Sequence, residues 1–482
     1  MEIGKNLKLS TGVKASVVYT LATLFSRGLS IITTPIFTRI MPPEQIGVVN
    51  LFQSWTALIG VFGTLALTSG GFQLSLREFS KERDGYVSSV LSLTTLMALV
   101  LGLLYGAAPA FWNDLTGLPT PLMVLMLAYF LLSPAQEFWL ARQRYEYKYK
   151  TAGLVTFLSA LLASMAAVLA VMGAAQSGVQ ALGVVRLFAT YGVSLAFSLA
   201  MWVYIFCRGK TLYNGKYWKF SLALSLPLIG NSIASEILSV SDRTMISKMV
   251  GNHAVGIYST LYSVSSLSLI VWTAINNSFI PFLYENISKP EKRDKIRASS
   301  AGILALFSVV AFVATMLAPE LVRIMATEEY YAAIYIMPPI AAGVFLTAIS
   351  NMYSNLLIYY QKTQFIMVSS GVAALLNVVL NYIGIRQFGY IAAAYTTMIA
   401  YMVLGASQIV VATMVYRKAT GKSEQKFVYN TKLIVLLASA TIVCSLCCIL
   451  LYPLPLLRYG ILAGIAVALW CKRRAVIALF KR

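Results

Sequence analysis

The chain has 482 residues, of which 59% are hydrophobic and only 11% charged, and its mean hydropathy is +0.75. A soluble globular chain carries about 25% charged residues and has to solvate its outside. The composition therefore excludes a cytosolic enzyme, a disordered chain and a secreted disulfide module, and leaves a polytopic membrane protein with little mass beyond the bilayer. The formal charge is +21, from 38 Lys+Arg against 17 Asp+Glu. On a soluble chain it would suggest nucleic acid; here it reads as cytoplasmic loops attracted to anionic membrane lipids, with no nucleic-acid partner.

The N-terminus is basic (Lys5, Lys8, Lys14) ahead of an apolar run. That run is too long for a signal peptide and has no small-residue cleavage site, so it reads as a retained first helix. A bilayer core needs about 20 apolar residues per helix. Fourteen segments qualify: 15–37, 47–72, 87–110, 121–141, 151–173, 180–206, 220–242, 254–280, 298–318, 334–358, 364–383, 389–415, 432–452 and 456–471. The expected fold class is all-α. Proline recurs inside the spans (Pro35, Pro134, Pro227, Pro338, Pro339), as membrane helices tolerate. With the N-terminus inside and the spans alternating, thirty of the 38 Lys+Arg fall on the cytoplasmic side, although the 359–363 loop carries only Lys362. This predicts a plasma (inner) membrane protein with both termini cytoplasmic.

An internal repeat stands at an offset of 209 residues: Thr38-Arg39-Ile40-Met41-Pro42-Pro43-Glu44-Gln45-Ile46-Gly47 lies over Ser247-Lys248-Met249-Val250-Gly251-Asn252-His253-Ala254-Val255-Gly256. The same offset carries the first span onto the seventh and the sixth onto the twelfth. Two six-helix halves in the same orientation make a parallel repeat about an axis along the membrane normal. The expected organisation is an N-terminal lobe at 1–206, a cytoplasmic linker at 207–219, a C-terminal lobe at 220–415, and two additional helices with a basic tail at 416–482.

Catalytic patterns are missing. The cysteines Cys207, Cys444, Cys447, Cys448 and Cys471 have no zinc spacing and read as small hydrophobes. The one histidine, His253, falls in an outer loop. Gly421-Lys422-Ser423 lacks the earlier glycine of a phosphate loop, where Tyr416 stands. We expect no enzyme, no metal site and no cofactor.

What remains is polarity inside the spans, where a charge costs ~2.5–3.5 kcal/mol on insertion scales and faces a cavity or a partner. Arg27 lies about 12 residues into the first span, roughly 18 Å deep. It reads as a cation for an anionic substrate, against a structural ion pair. The repeat offset carries position 27 onto Glu236 in the seventh span, so the two are pseudo-symmetric positions of opposite charge. Glu236 is expected to neutralise Arg27 until a substrate phosphate competes for it; a local partner is the alternative. Asp242 and Arg243 end the seventh span, and neighbours on a helix project about 100° apart, so they need not pair. Arg243 reads as a second cation or an anchor, with Arg186 and Arg39 weaker candidates. Asn351 with Asn355, and Asn377 with Asn381, share helix faces at i,i+4, and with Asn50 and Gln53 they either line a sugar cavity or bond between helices. Glu236 and Asp242 are the candidates for coupling to a Na+ or H+ gradient.

The run Pro35-Ile36-Phe37-Thr38-Arg39-Ile40-Met41-Pro42-Pro43-Glu44-Gln45-Ile46-Gly47 resembles the first-loop signature of Wzx-like polysaccharide flippases. Ser241-Asp242-Arg243-Thr244-Met245-Ile246 with Val255-Gly256-Ile257-Tyr258-Ser259 resembles their seventh-helix signature, and Glu329-Tyr330-Tyr331 is similar to another of their elements. The resemblance implies the multidrug/oligosaccharidyl-lipid/polysaccharide exporter superfamily, with two six-helix lobes in a pseudo-symmetric V plus two C-terminal helices. It further implies a cationic cavity for a polyprenyl-diphosphate-linked oligosaccharide, with Arg27 and Arg243 where the cations belong. The implied work is alternating access in O-antigen or capsule biosynthesis, beside a polysaccharide polymerase and a chain-length regulator. Competing readings are a flippase for the peptidoglycan precursor, or a drug/cation antiporter of the same superfamily, which calls for a carboxylate-dominated cavity.

Overall fold

The structure, a computed structural model, describes residues 11–68, 71–421, 427–471 and 473. The basic residues Lys5 and Lys8, the Lys422-Ser423 step and most of the basic tail lie outside them. Every described regular element is helical. The chain divides into two compact units, Met1–Glu236 and Ile237–Arg482.

The first unit holds α1 (Thr11–Ile40), α2 (Pro43–Thr64), α3 (Phe72–Glu78), α4 (Arg83–Ala107), α5 (Pro109–Thr116), α6 (Thr120–Tyr145), α7 (Tyr149–Gln176), α8 (Leu182–Gly209) and most of α9 (Gly215–Met249). Proline at the first turn starts α2, α5 and α6, where its missing N–H costs no hydrogen bond. α5 stops at Gly117, whose φ of 68° is the left-handed cap that glycine adopts without strain. α1 packs on α7, α7 on α8, and α8 on α2, α4 and α6. One end is fixed by an aromatic cluster in which Phe72 stacks on Phe138 at 5.0 Å, and Phe79 meets Tyr217 at 4.7 Å. Beside it, Asp84 of α4 accepts hydrogen bonds from Arg142 of α6 and Arg208 of α8.

The second unit holds the end of α9, then α10 (Asn252–Ser265), α11 (Ser268–Asn286), α12 (Arg293–Met316), α13 (Ala318–Met325), α14 (Glu328–Tyr331), α15 (Met337–Tyr359), α16 (Gln364–Phe388), α17 (Ala392–Thr420), α18 (Thr431–Leu451) and α19 (Pro455–Cys471). α15 is its axis: buried along most of its length, it packs on α17, α18 and α12. The C-terminal pair is tied in by Arg458, 2% exposed, which donates to the Met316 carbonyl at 3.1 Å and to Glu320.

Each of the fourteen expected spans overlaps a helix, the second only as far as Thr64 and the eighth as the pair α10–α11, bent by 42°. The count of membrane-crossing helices is lower. Among the described residues ten helices are long and apolar enough to cross a membrane, or twelve if each bent pair is one span. The second such pair is α9, which bends by 45° at Pro227, a residue with no N–H for the helical ladder. α19, with 17 residues, falls short of a span. α3, α5, α13 and α14 are short helices additional to the fourteen spans.

The sequence repeat reappears in the helix ends at the same offset. Ile40 and Met249 close α1 and α9, Pro43 and Asn252 open α2 and α10, and Ala107 and Met316 close α4 and α12. α5 (Pro109–Thr116) falls residue for residue on α13 (Ala318–Met325).

Candidate functional site

Polarity inside the helical mass gathers in two places, one in each unit. The first is an open cavity of ≈ 440 Å³ in the N-terminal unit, joined to a second of ≈ 310 Å³ by the shared residues Gln53, Tyr129 and Tyr191. α2 contributes a face of small and polar residues, Gln53, Thr56, Gly60 and Thr64, one helical turn apart. α6 contributes Tyr129, Ser133 and Glu137, again at steps of four. Ser232 and Glu236 of α9 complete the larger cavity, while Ser26 of α1 and Gln136 of α6 line the smaller. The rings of Tyr129 and Tyr191 meet edge to face at 4.9 Å. Glu137 accepts a hydrogen bond from Thr68 at 3.2 Å, and the nearest cation acting on it is Arg144, two turns further along α6. No lysine or arginine is among the described residues lining either cavity.

The second is a buried network in the C-terminal unit. Asp242 of α9 is 1% exposed. Its Oδ2 accepts from the Tyr258 hydroxyl of α10 and from Thr397 of α17 at 3.3 Å, while its Oδ1, equally buried, has no hydrogen-bond partner among the described residues. The amide of Asn377 accepts from Ser241 at 2.8 Å and from Asn381 at 3.1 Å, and donates to Thr397 at 3.1 Å. Asn381 accepts from Thr396. α9, α10, α16 and α17 are thus stitched together by buried side chains, of which Tyr258 and Thr397 reach the Asp242 carboxylate. Arg243, next in sequence, makes no ion pair with Asp242. Its Nε donates to Ser259 at 3.2 Å, its Nη1 to the Ser239 carbonyl at 2.9 Å, and its guanidinium lies 5.0 Å from the Tyr262 ring centroid. Among the described residues no three His, Cys, Asp or Glu side chains come together.

The remaining candidates fall as follows. Arg27 is exposed on α1 and has no hydrogen bond or ion pair among the described residues; it does not meet Glu236, which lines the larger cavity. Arg39 is exposed and donates to the Pro35 carbonyl at 3.0 Å. Arg186 lies 3.8 Å from the Phe37 ring centroid and lines neither cavity, a packing contact between α8 and α1. Asn50 lines neither cavity and bonds its own helix at the Ile46 carbonyl, 2.9 Å. Asn355 bonds Asn276 of α11 at 3.0 Å, with Asn351 half-buried one turn earlier. Asn377 and Asn381 are fully buried and bond between helices. Glu137, Tyr129 and Tyr191 are missing from the sequence-derived candidates, and the stripe of Tyr129, Ser133 and Glu137 at steps of four is the signal that marks them.

The described residues form an all-helical membrane protein of two units, with an open polar cavity in one and a buried carboxylate network in the other. A family model described as polysaccharide biosynthesis protein matches residues 13–287, and one described as MatE matches residues 227–383. The chain belongs to the polysaccharide biosynthesis protein family, and its fold is that of the multidrug/oligosaccharidyl-lipid/polysaccharide exporter superfamily. It is 22% identical over 201 residues to a probable low-salt glycan biosynthesis flippase of Haloferax volcanii, a match spanning 41% of either protein. Among solved structures it resembles the lipid II flippase MurJ in an inward closed conformation, with a TM-score of 0.65 at 15% identity over 95% of this chain and 100% of that one. It also resembles an inward-facing multidrug resistance MATE family transporter (TM-score 0.59, 15% identity, 81% of this chain and 96% of that one). A transporter of the same superfamily from Pyrococcus furiosus aligns with a TM-score of 0.52 at 13% identity over 84% of this chain and 96% of that one.

Proposed function

We propose that this protein is a flippase that carries a polyprenyl-diphosphate-linked oligosaccharide repeat unit from the cytoplasmic to the outer leaflet of the plasma membrane, by alternating access, for surface polysaccharide biosynthesis. The observation that carries the reading is Arg27: a permanent cation in a 30-residue helix, exposed and with no partner of its own among the described residues. The physical obstacle in flipping is the ionised headgroup, and a fixed guanidinium replaces lost water with charge-assisted, bidentate hydrogen bonds. Asp242 supplies the coupling group, taking up Na+ or H+ at its unpartnered Oδ1. No covalent step is needed, and a polymerase and a chain-length regulator are the natural downstream partners.

The test is flipping in proteoliposomes with a defined diphosphate-linked glycan, with and without Na+ and H+ gradients. Arg27→Ala is expected to reduce flipping at least tenfold, and wild-type flipping by that variant would overturn the reading. A second reading rests on the larger cavity: its described lining holds Glu137 and Glu236 and no lysine or arginine, the carboxylate-dominated lining a cation antiporter calls for. Gradient-driven efflux of a cationic dye, unaffected by Arg27→Ala and lost in Glu137→Gln, would favour it.

A further inference from the structure

The N-terminal cavity is acidic where the proposed substrate's diphosphate is acidic too, and like charges brought together in a site of low dielectric disfavour one another. The diphosphate therefore belongs elsewhere, and the flippase reading assigns it to Arg27. Ser26 lines the smaller compartment, and its neighbour on α1 is the exposed Arg27. Beyond Ser26 the wall runs through Gln53, Tyr129 and Tyr191, the residues common to both compartments, to Glu137 at the larger one. Volumes of ≈ 440 and ≈ 310 Å³ fall in the ~300–1,000 Å³ range of small-molecule sites and far exceed what an ion requires. The chemistry is that of sugar recognition: tyrosine rings for the apolar face of a pyranose, and amide and carboxylate oxygens for its donors. Glu137 adds a preference among sugars. Its one hydrogen bond, from Thr68 at 3.2 Å, leaves acceptor capacity facing the cavity, and the larger compartment holds a second carboxylate, Glu236.

We propose that these joined compartments are the glycan subsite of the transporter and that Glu137 selects a sugar bearing a free ammonium group. The proposal rests on the flippase reading for the connection to Arg27, while the selectivity belongs to the cavity alone. A glycan with an unacetylated amino sugar sits with its ammonium at Glu137. An N-acetylated sugar loses the ion pair, and a uronic acid meets like charge.

The experiment is binding to the purified full-length chain in nanodiscs, titrating glucosamine, N-acetylglucosamine and glucuronate. Glucosamine is expected to bind at least tenfold more tightly than either competitor, and Glu137→Gln, which keeps the size of the side chain, is expected to erase that preference. On the wild-type chain, glucosamine is expected to protect Glu137 from carbodiimide labelling read by mass spectrometry, and glucuronate is not; this arm needs no variant to fold. Equal binding of the three sugars, unchanged preference in Glu137→Gln, or labelling indifferent to glucosamine each overturns the proposal. If glucosamine binds through Glu137 but no diphosphate-linked glycan is flipped in proteoliposomes, the flippase reading falls and the subsite stands.

Discussion

Replacing Asp242 by asparagine separates the charge of the buried network from its shape. The amide keeps an oxygen for Tyr258 and Thr397 and places its NH2 where Oδ1 has no partner. Two neutral hydrogen bonds then stand in place of two charge-assisted ones, a loss of about 1 kcal/mol each. Against this, the wild-type chain carries a buried carboxylate oxygen without a donor, a defect worth about 1–3 kcal/mol or more. The NH2 brings two donors that need acceptors of their own, so this defect is exchanged rather than relieved, and Asp242→Asn is expected to unfold a few degrees below wild type when no coupling ion is present. The difference emerges when the ion is added. A cation held at a hundred times its dissociation constant stabilises the folded state by about 2.7 kcal/mol. In a unit of this size that raises the unfolding midpoint by roughly 5–10 °C. Thermal unfolding in detergent, comparing NaCl with choline chloride at equal ionic strength and then pH 5 with pH 8 without sodium, reads the increment and identifies the ion. The wild type is expected to gain with one of the two and Asp242→Asn with neither. An increment of equal size in the variant would refute the assignment of the coupling ion to this carboxylate.

Three further outcomes follow from packing and charge. Arg458→Leu strips Glu320 of its guanidinium and the Met316 carbonyl of its donor. A loss of about 3 kcal/mol is expected, the low end for a broken buried pair because Glu320 keeps 26% side-chain exposure, and limited proteolysis would report it as early release of α18–α19. Gly209→Ala would put a Cβ 2.3 Å from both the Asp84 carbonyl and the Ser88 Cβ, so about 1–3 kcal/mol of overpacking is expected in thermal unfolding. Gly102→Ala, with nothing within 4 Å, is the control and should match or exceed wild type. Burial pushes the Glu146 carboxyl up, but Lys148 at 2.6 Å and Arg142 at 2.9 Å outweigh it and hold the group below the usual carboxylate range. A lowered folded value means the stabilisation is complete above the unfolded pKa of about 4.3 and is lost as the pH falls through the folded value. The unfolding midpoint should therefore drop on acidification below about pH 4 less steeply in Glu146→Gln than in wild type.

Hydropathy located the long helices because burial in a bilayer demands long apolar runs and little else. It could not see the break between α10 and α11, since Ser265, Ser266 and Ser268 interrupt the run with residues too small to lower its mean. Nor could it tell lining from packing. Asn377 and Asn381 share a face by their spacing alone, but whether that face meets a cavity or the hydroxyls of Ser241, Thr396 and Thr397 depends on how α16 lies against α9 and α17, which is tertiary. Glu137 was hidden by its neighbours. Five and seven residues before Arg142 and Arg144, it sits where a span shades into a charged loop, and only the stripe it forms with Tyr129 and Ser133 turns it inward.

The internal repeat narrows what the two units can share. Its offset aligns helix ends to the residue, so the scaffold is duplicated, yet the charges inside the first and seventh spans are not. Position 33, the counterpart of Asp242, is Thr33, whose hydroxyl is spent on the Ser30 carbonyl of its own helix at 3.3 Å. Thr34 stands opposite Arg243, and Arg27 opposite Glu236. At these positions of the N-terminal unit no ion network of the same kind stands among the described residues. Polar side chains of this unit line an open cavity, the room that the proposed glycan subsite uses. Installing aspartate at position 33 would supply the charge without Tyr258, Asn377 or Thr397 around it. Thr33→Asp should accordingly gain no ion-dependent stabilisation, and a sodium increment appearing in Asp242→Asn once Thr33→Asp is added would show that the scaffold, rather than the side chains of α10, α16 and α17, makes the site.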